Sequence, residues 1–418
     1  MAQTQYLAPG IYVEEVPSAI KAIVGVSTST AGFVGIVQDT VQLLARNPAG
    51  PAPTKLVDFT TPAAKQPLLF TNWSQFERAY GGFLGKEGDA ASTAQNAKID
   101  ENHRRLAHAV YGFFNNGGSR CYVARVTAEA DLAAALDAFA TIDEIALVCV
   151  PGVLSDSARE LIVNHCVSTQ DRFAILDGPG PDPADLAKLP LATTDGGLSP
   201  KTTDFAAWYY PWLKVFDPAT QLQQPDGDGV LSVPPSGHIA GIYARVDTER
   251  GVFKAPANEV VRGALDLTHP LSKNDQGDLN KHGVNCIRAL NGNIYVWGAR
   301  TVGGDANADL KYVSVRRTLL FLRESIDEGT QWAVFEPNTP ALWAKISRNV
   351  TAFLTTVWRS GALFGTTAQE AFFVKCDAET NPPELREQGQ VVTEIGVAIA
   401  RPAEFVIFRV SQFAAPTK

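Results

Sequence analysis

Cysteine is scarce in this sequence, and no two cysteines are spaced as a metal-binding or redox pair. The 418 residues include Cys121, Cys149, Cys166, Cys286 and Cys376. Zinc ribbons and thioredoxin-like redox motifs place two cysteines close together in a C-x-x-C pattern. The wide spacing excludes a disulfide scaffold and a zinc ribbon. It predicts reduced cysteines in the core of a protein made in the cytoplasm.

Long apolar runs are also missing. No stretch approaches the ~18 consecutive apolar residues that a bilayer-spanning helix needs. Residues 1–10 lack the basic region and apolar run of a secretory signal peptide. We therefore expect a protein that is made in the cytoplasm and does not insert directly into a membrane. It either stays cell-associated or is released by lysis as part of a particle.

The sequence has no excess of positive charge. Lys and Arg number 36 against 44 Asp and Glu, which gives a formal net charge of −8. Broad binding to a phosphate backbone needs a basic surface, so nucleic acid is excluded as a principal partner. Hydrophobic residues at 45% and charged residues at 19% predict a large buried core. A chain of this length is long enough for about two or three domains.

The first thirty residues have the pattern of an extended arm rather than a domain. Residues 9–17 (PGIYVEEVP) form a short apolar run that is bounded by prolines and interrupted by glutamates. Prolines at both ends favour an edge strand or a strand added to another sheet. We predict that the arm pairs with a neighbouring subunit, the alternative being an edge strand within its own subunit. The residues expected to make this contact are Tyr6, Ile11, Tyr12, Val13 and Val16.

A regular α/β pattern follows the arm. Continuous apolar stretches predict strands at residues 31–37, 121–126, 145–150, 173–179 and 206–211. Apolar residues at helical spacing predict helices at residues 104–114, 131–139 and 155–167. The Pro- and Ala-rich residues 46–67 predict a loop. Continuous apolar strands that alternate with helices indicate a parallel sheet covered on both faces.

The last third of the chain has the pattern of a small α+β domain. One helix is predicted around Val315, Leu319, Leu322 and Ile326, with Gly329 as its end. A longer helix is predicted from residue 340 to residue 361. Its apolar face consists of Leu342, Ile346, Val350, Phe353 and Val357. Strands are predicted at residues 294–298, 332–335, 391–398 and 404–410, before a polar tail.

Several segments, in order along nearly the whole chain, resemble the phage tail sheath family. Residues 9–17 and 25–31 (GVSTSTA) resemble its amino-terminal signature. The others are residues 235–245 (PSGHIAGIYAR), 254–258 (KAPAN), 297–301 (WGART), 312–317 (YVSVRR), 371–377 (AFFVKCD), 379–381 (ETN) and 401–405 (RPAEF). Residues 38–100 and 180–232 carry little of the similarity.

The resemblance implies an α/β fold with a subtilisin-like parallel-sheet core and a small α+β carboxy-terminal domain. The expected organisation is a linking arm at residues 1–30, the core at 31–280, the carboxy-terminal sheath domain at 281–410 and a tail or arm at 411–418. The implied function is a structural subunit that polymerises as stacked rings around an inner tube and contracts. Its expected partners are itself as a helical homopolymer, an inner tube protein, and baseplate and tail terminator or cap proteins, with no cofactor. A sheath-initiator or baseplate-proximal paralogue is the alternative.

A hydrolase on the same core is a remote alternative. Asp177 ends a predicted strand and His238 opens a predicted helix, in the order of a subtilisin-like dyad. A serine protease also needs a nucleophile within reach of the histidine. No Gly-Thr-Ser segment follows His238, and Ser314 and Ser325 lie inside helical patterns. We therefore expect structural polar residues, no catalytic site, no bound metal and no enzymatic activity.

The polar side of the long helix is the candidate surface for the inner tube. Lys345 and Arg348 are three residues apart and therefore neighbours on a helix, and Arg359 follows about three turns later. No acidic residue occurs between residues 339 and 360. The three basic residues are therefore predicted to form one stripe that contacts an acidic tube. A solvated helix face or a contact between sheath subunits is the alternative.

Overall fold

The computed structural model describes residues 22–50, 52–181 and 202–409. Its strands are β1 (Ala31–Ile36), β2 (Thr40–Arg46), β3 (Thr54–Thr60), β4 (Leu68–Phe70), β5 (Cys121–Val126), β6 (Leu147–Cys149), β7 (Phe173–Asp177), β8 (Ala206–Tyr210), β9 (Leu213–Phe216), β10 (Val230–Val233), β11 (Glu259–Val260), β12 (Ala264–Leu267), β13 (Val284–Leu290), β14 (Asn293–Val296), β15 (Phe372–Lys375) and β16 (Glu394–Val397). Its helices are α1 (Trp73–Tyr80), α2 (Glu101–Asn115), α3 (Leu132–Phe139), α4 (Asp156–Thr169), α5 (Pro218–Gln223), α6 (Ser236–Arg250), α7 (Lys273–Lys281), α8 (Val313–Thr330), α9 (Pro340–Arg359), α10 (Ala368–Ala371) and α11 (Pro383–Glu387). The predicted arm contacts Tyr6, Ile11, Tyr12, Val13 and Val16 and the tail at residues 411–418 lie outside the described residues.

Most of the described strands join one nine-stranded sheet, in the order β11-β14-β13-β8-β7-β6-β1-β5-β4. The strands from β13 to β5 in that order run parallel to their neighbours. β4, β14 and β11 pair antiparallel at the two ends of the sheet. β7 and β8 are buried along their whole length. Such burial is typical of parallel strands that are covered on both faces.

Helices provide that cover. α2 packs against α6 and β1, and α6 also contacts β6 and β7. α3 packs against α4, β1 and β5, and α4 contacts β7. The predicted helices at residues 104–114, 131–139 and 155–167 correspond to α2, α3 and α4. The predicted α/β arrangement with a parallel sheet is thus confirmed.

Strands β13 and β14 belong to this large sheet, although the sequence placed them beyond a boundary at residue 280. β13 pairs in parallel with β8, and β14 pairs with β13. The chain therefore leaves the sheet only after Val296.

A second apolar core lies in the last third of the chain. It joins α9 with the antiparallel pair β15–β16, and Leu322 of α8 and Ile23 contribute to it. The predicted apolar face of α9 is confirmed, because Leu342, Ile346, Val350, Phe353 and Val357 are all buried.

Three local predictions are wrong. Residues 46–67 contain β3, which pairs with β2 over its full length, so they are not a loop. Residues 332–335 are not a strand, since a short 3₁₀-helix covers Gln331–Ala333 and Phe335 has a left-handed backbone with φ of 66°. Residues 404–409 have the apolar composition of a strand but find no strand partner within the described residues.

The cysteines follow the predicted pattern with one exception. Cys121, Cys149, Cys166 and Cys286 are buried free thiols, whereas Cys376 is partly exposed. Burial raises the pKa of the Cys121 and Cys149 thiols well above the usual range.

Candidate assembly site: the anchors of the two terminal segments

The amino-terminal segment is held to the core at Thr28. Arg317 on α8 donates a hydrogen bond of 2.8 Å to the Thr28 carbonyl oxygen, and the Thr28 hydroxyl donates one of 2.6 Å to Asp247 on α6. Arg317 also donates to both Asp247 carboxylate oxygens, at 3.0 and 2.6 Å. Its guanidinium lies 4.6 Å from the centroid of the Tyr243 ring. Thr28 is therefore held by hydrogen bonds to both partners of a buried, bidentate ion pair between Arg317 and Asp247.

In this ion pair, the negative charge of Asp247 stabilises the positive charge of Arg317. Both side chains are almost completely buried. Burial alone would lower the pKa of Arg317, but the Asp247 carboxylate outweighs burial and raises that pKa. Arg317 therefore stays protonated, and removal of Asp247 would leave its buried charge unpaired.

Two to five residues before Thr28, the same segment lies against α8 and the second core. The Val26 amide donates to the Ser325 hydroxyl at 3.1 Å, and Ile23 is buried in the second core. Gly329 makes the approach possible, because a Cβ atom there would lie 2.7 Å from the Ile23 side chain. The sequence assigned Gly329 to the end of the helix. In the structure the helix ends at Thr330, one residue later, and the glycine also provides room for the amino-terminal segment.

The carboxy-terminal segment is held at Glu404. Arg300 donates to both Glu404 carboxylate oxygens, at 2.8 and 2.9 Å. The Asn280 amide donates at 2.7 Å and the Tyr312 hydroxyl at 2.9 Å to the same carboxylate. Partial burial would raise the pKa of Glu404, but the hydrogen bonds from Arg300 and Asn280 outweigh it and lower that pKa.

Four consecutive apolar side chains follow this anchor and project into solvent. Their exposed fractions are 70% for Phe405, 70% for Val406, 77% for Ile407 and 85% for Phe408. Exposed single apolar residues are common, but a contiguous apolar run on a soluble protein marks an interaction surface.

The candidate tube-facing residues all lie on α9, on the sides away from the second core. Arg348 and Arg359 are exposed, whereas Lys345 is partly buried. The Lys345 ammonium lies 5.6 Å from the centroid of the Trp332 ring, and the Arg348 Nε donates to the Ala344 carbonyl at 3.1 Å. Arg348 and Arg359 are separated by about 20° around the helix axis. Their contact with a tube stays a prediction.

Asp177 and His238 are brought near each other, but not as a catalytic dyad. Asp177 accepts hydrogen bonds from the Ser236 amide at 2.8 Å, the Ser236 hydroxyl at 2.9 Å and the Gly152 amide at 3.0 Å. The Nδ1 atom of the buried His238 has no hydrogen-bond partner. Burial raises the pKa of Asp177 to about 6 and lowers the pKa of His238 to about 3.

The described residues offer neither a metal centre nor a transmembrane helix. In residues 22–50, 52–181 and 202–409, no group of three His, Cys, Asp or Glu side chains is arranged to hold a metal ion. None of the helices in these ranges combines the length and hydrophobicity that a membrane crossing requires.

The sequence did not identify the anchor residues as a site. Thr28, Arg300, Tyr312, Arg317 and Glu404 all lie within the segments that resemble the sheath family. The structure shows that these signatures meet: residues 25–31 contact residues 312–317 at Arg317, and residues 297–301 and 312–317 both contact Glu404.

Two sequence profiles of known protein domains match this chain. The sequence profile of the phage tail sheath protein central domain matches residues 126–302, and that of the phage tail sheath C-terminal domain matches residues 305–413. The chain belongs to the phage tail sheath family. It is 24% identical over 402 residues to a prophage major tail sheath protein of Pseudomonas aeruginosa (strain UCBPP-PA14), covering 90% of this chain and 96% of that protein.

Solved sheath structures agree with this family. A chain of the PVC sheath complex in the contracted state, from an extracellular contractile injection system, is 26% identical with a TM-score of 0.71. The match covers 98% of this sheath-family chain and 99% of the PVC chain. A chain of the anti-feeding prophage baseplate structure is 27% identical with a TM-score of 0.68, over 98% of this chain and 100% of that one.

Proposed function

We propose that this sheath subunit polymerises as stacked rings around an inner tube and contracts to drive the tube through a target membrane. The observation that carries the proposal is the exposed apolar run at residues 405–408, which follows directly after an anchored glutamate. In a lone subunit these apolar side chains stay in contact with water, which is unfavourable. In the proposed polymer they are buried against a neighbouring subunit. The full-length similarity to a sheath solved in its contracted state supports the same function.

The terminal segments are the proposed links between subunits. Strands β15 and β16 form a two-stranded antiparallel sheet, and no third strand of the described residues pairs along either of them; a single bridge between Leu363 and Ile399 lies just beyond β16. Extended segments add to strand edges through main-chain hydrogen bonds, while their alternate side chains fill pockets. Residues 405–408 of one copy, and the arm with Tyr6, Ile11, Tyr12, Val13 and Val16 of another, are the segments proposed to pair in this way.

Two domains are proposed to carry the terminal arms and the contact with the tube. We assign the nine-stranded sheet to a subtilisin-like core and the second apolar core to a small carboxy-terminal sheath domain. Lys345, Arg348 and Arg359 on α9 provide the proposed contact with an acidic inner tube. Exposed ion pairs contribute ~0–1 kcal/mol each, so a grip repeated over many subunits still releases during contraction.

The protein functions within a phage-tail-like particle, with itself, the tube, the baseplate and a terminator or cap protein as partners. A baseplate-proximal paralogue is the second candidate, favoured by the similarity to a chain in a baseplate structure. Asp177 serves as the cap of helix α6 rather than as a catalytic residue, which supports a structural subunit without enzymatic activity.

Negative-stain imaging of the purified protein tests the proposal. Alone, the protein should form hollow helical polymers of the contracted type. Coexpressed with its inner tube protein, it should form longer and thinner sheaths around tubes. A monodisperse monomer under both conditions would contradict the proposal, and a single ring or short collar at one end of the tube would favour the baseplate-proximal paralogue.

A further inference from the structure

The anchors of both terminal segments include residues of α8 or of its N-cap. Tyr312, the residue before α8, donates to Glu404 in the carboxy-terminal segment. Arg317 and Ser325 in α8 bind Thr28 and Val26 in the amino-terminal segment. From residue 312 to residue 325 the helix rises about 20 Å. One helix with its N-cap residue therefore contacts both segments within about 20 Å of its length.

Neither anchor depends on the large sheet alone. Arg300 and Asn280, which complete the Glu404 anchor, come from the loop after β14 and from α7. Asp247, which completes the Thr28 anchor, comes from α6. α8 is the element common to both, and its polar side chains at the anchors, Arg317 and Ser325, are buried. Buried and fully paired groups resist displacement, because moving one leaves a desolvated charge or hydroxyl without a partner.

The carboxy-terminal segment changes from anchored to exposed between Glu404 and Phe405. The Glu404 carboxylate is held by three side chains, whereas Phe405, the next residue, is 70% exposed. A force that pulls on residues 405–408 therefore meets Glu404 first. The nearest ion pair on the exposed side, between Arg401 and Asp309, is 4.0 Å long and open to solvent, so it offers little resistance.

We propose that α8 is the mechanical link between the two arms, with Glu404 and Thr28 as the positioning residues that fix where each arm leaves the subunit. The proposal rests on the proposed sheath function. Tension between neighbouring copies then passes from one arm through α8 to the other arm. The nine-stranded sheet moves as a rigid body and does not carry that tension through its strands.

Glu404→Gln tests the carboxy-terminal half of the link, with Arg401→Gln as the matched control. The control removes a charge three residues away that pairs with Asp309 at the surface, 4.0 Å apart, and does not contact the Glu404 carboxylate by a hydrogen bond. Tyr312→Phe is a milder second variant, since it removes a single hydrogen bond to Glu404. All variants are made in the full-length chain, and folding is checked by circular dichroism and thermal unfolding.

The expected result has two parts. In unassembled subunits, cleavage by chymotrypsin after Phe405 should be about tenfold faster in Glu404→Gln than in wild type or Arg401→Gln, because the anchored end is released locally. In tube-containing particles triggered with dilute guanidinium, Glu404→Gln sheaths should break into short contracted pieces while both references contract as continuous sheaths. Tyr312→Phe should show the same two effects at smaller size.

Other outcomes separate the two proposals. If wild-type protein forms no sheath, the proposed function itself fails. If wild type and Arg401→Gln form sheaths, and Glu404→Gln and Tyr312→Phe contract as continuous sheaths with unchanged cleavage, α8 is not the link. Should Glu404→Gln fail to fold, unchanged cleavage and continuous contraction in Tyr312→Phe overturn the proposal by themselves.

Discussion

The Asp177 carboxylate accepts hydrogen bonds from both the backbone amide and the hydroxyl of Ser236, and it thereby caps the amino terminus of α6. The cap joins the end of β7 to the helix that also carries Asp247 of the Thr28 anchor. The residue that most resembled part of a catalytic dyad thus makes a contact that holds two elements of the fold together.

Asp177→Asn should preserve assembly and lower stability. The amide keeps one oxygen acceptor but places an NH₂ group against donors, so a loss of about 1–3 kcal/mol is expected. Denaturant unfolding measures the loss, and imaging checks assembly. His238→Ala serves as the companion variant. Peptidase activity in the wild-type protein that disappears in both variants would refute the structural role.

Charges placed on the exposed apolar run should block polymerisation without affecting the fold. Val406→Glu combined with Phe408→Glu alters side chains that are already exposed, so the melting temperature should change little. Sheath formation, measured by sedimentation, should be lost because strand addition would bury the new charges. Val334→Glu is the control, since Val334 is 63% exposed but lies outside the run. Normal polymers from the double variant would exclude this run from the subunit interface.

Deletion of residues 1–20 should have a comparable effect from the other terminus. The first buried contact in the described amino-terminal segment is Ile23, so the truncated subunit should remain folded and soluble. It should no longer form sheaths, because the arm that links neighbouring subunits is gone. Sheaths of normal length from this deletion would show that the arm belongs to its own subunit.

Charge reversal on α9 should impair only the extended, tube-bound state. Lys345→Glu with Arg348→Glu replaces attraction to an acidic tube by repulsion, so the yield of extended particles should fall and its salt sensitivity should change. Tube-free contracted polymers should form normally. Lys273→Glu with Lys281→Glu, at two exposed positions on α7, controls for the same change in net charge. Equal yields from both variants would place the tube-facing surface elsewhere.

Buried histidines should make the subunit sensitive to acid. Burial lowers the pKa of His238 to about 3 and that of His165 to about 4. Because the unfolded chain binds these protons near pH 6.5, their contribution is present above that pH and is lost as the pH falls towards the folded-state values. At pH 5 the loss is about 2 kcal/mol for a histidine such as His238.

A pH series of urea unfolding checks this, with His238→Gln as the variant that should lose less stability between pH 7 and pH 5. The raised pKa of Asp177 acts in the opposite direction, since it favours the folded state as the pH falls from about 6 to about 4. A single carboxyl offsets only part of the effect of the histidines. Identical slopes for wild type and variant would show that His238 does not contribute.

The elements that were predicted correctly are those whose signal is local. The apolar stretches of β1, β7 and β8 and the apolar face of α9 follow from periodicity alone. The wrong strand at residues 332–335 has the same kind of signal, because Trp332, Val334 and Phe335 are apolar. In this segment, tertiary contacts rather than local preference determine the backbone conformation. The Trp332 ring faces the Lys345 ammonium, and Phe335 has a positive φ that cannot continue a strand.

The anchors could not be predicted because their partners are far apart in sequence. Arg317 and Thr28 are separated by 289 residues, and Arg300 and Glu404 by 104. The sequence does not show whether an arginine is buried in an ion pair or exposed to solvent. Arg317, which is buried, and Arg348, which is exposed, therefore could not be distinguished. Gly329 shows the same limit: its position near the helix end was predicted, but its contact with Ile23 of a distant segment was not.

The unequal burial of the thiols has a practical consequence for following the sheath in action. Cys121, Cys149, Cys166 and Cys286 are buried, and burial raises the pKa of each thiol, so they should react slowly with maleimides and with oxygen. Cys376, directly after β15, is partly exposed and is therefore the natural attachment point for a fluorophore, beside the two strands to which neighbouring arms are proposed to add. Energy transfer between dyes at that position would report the change in subunit spacing as a sheath shortens, with no engineered cysteine.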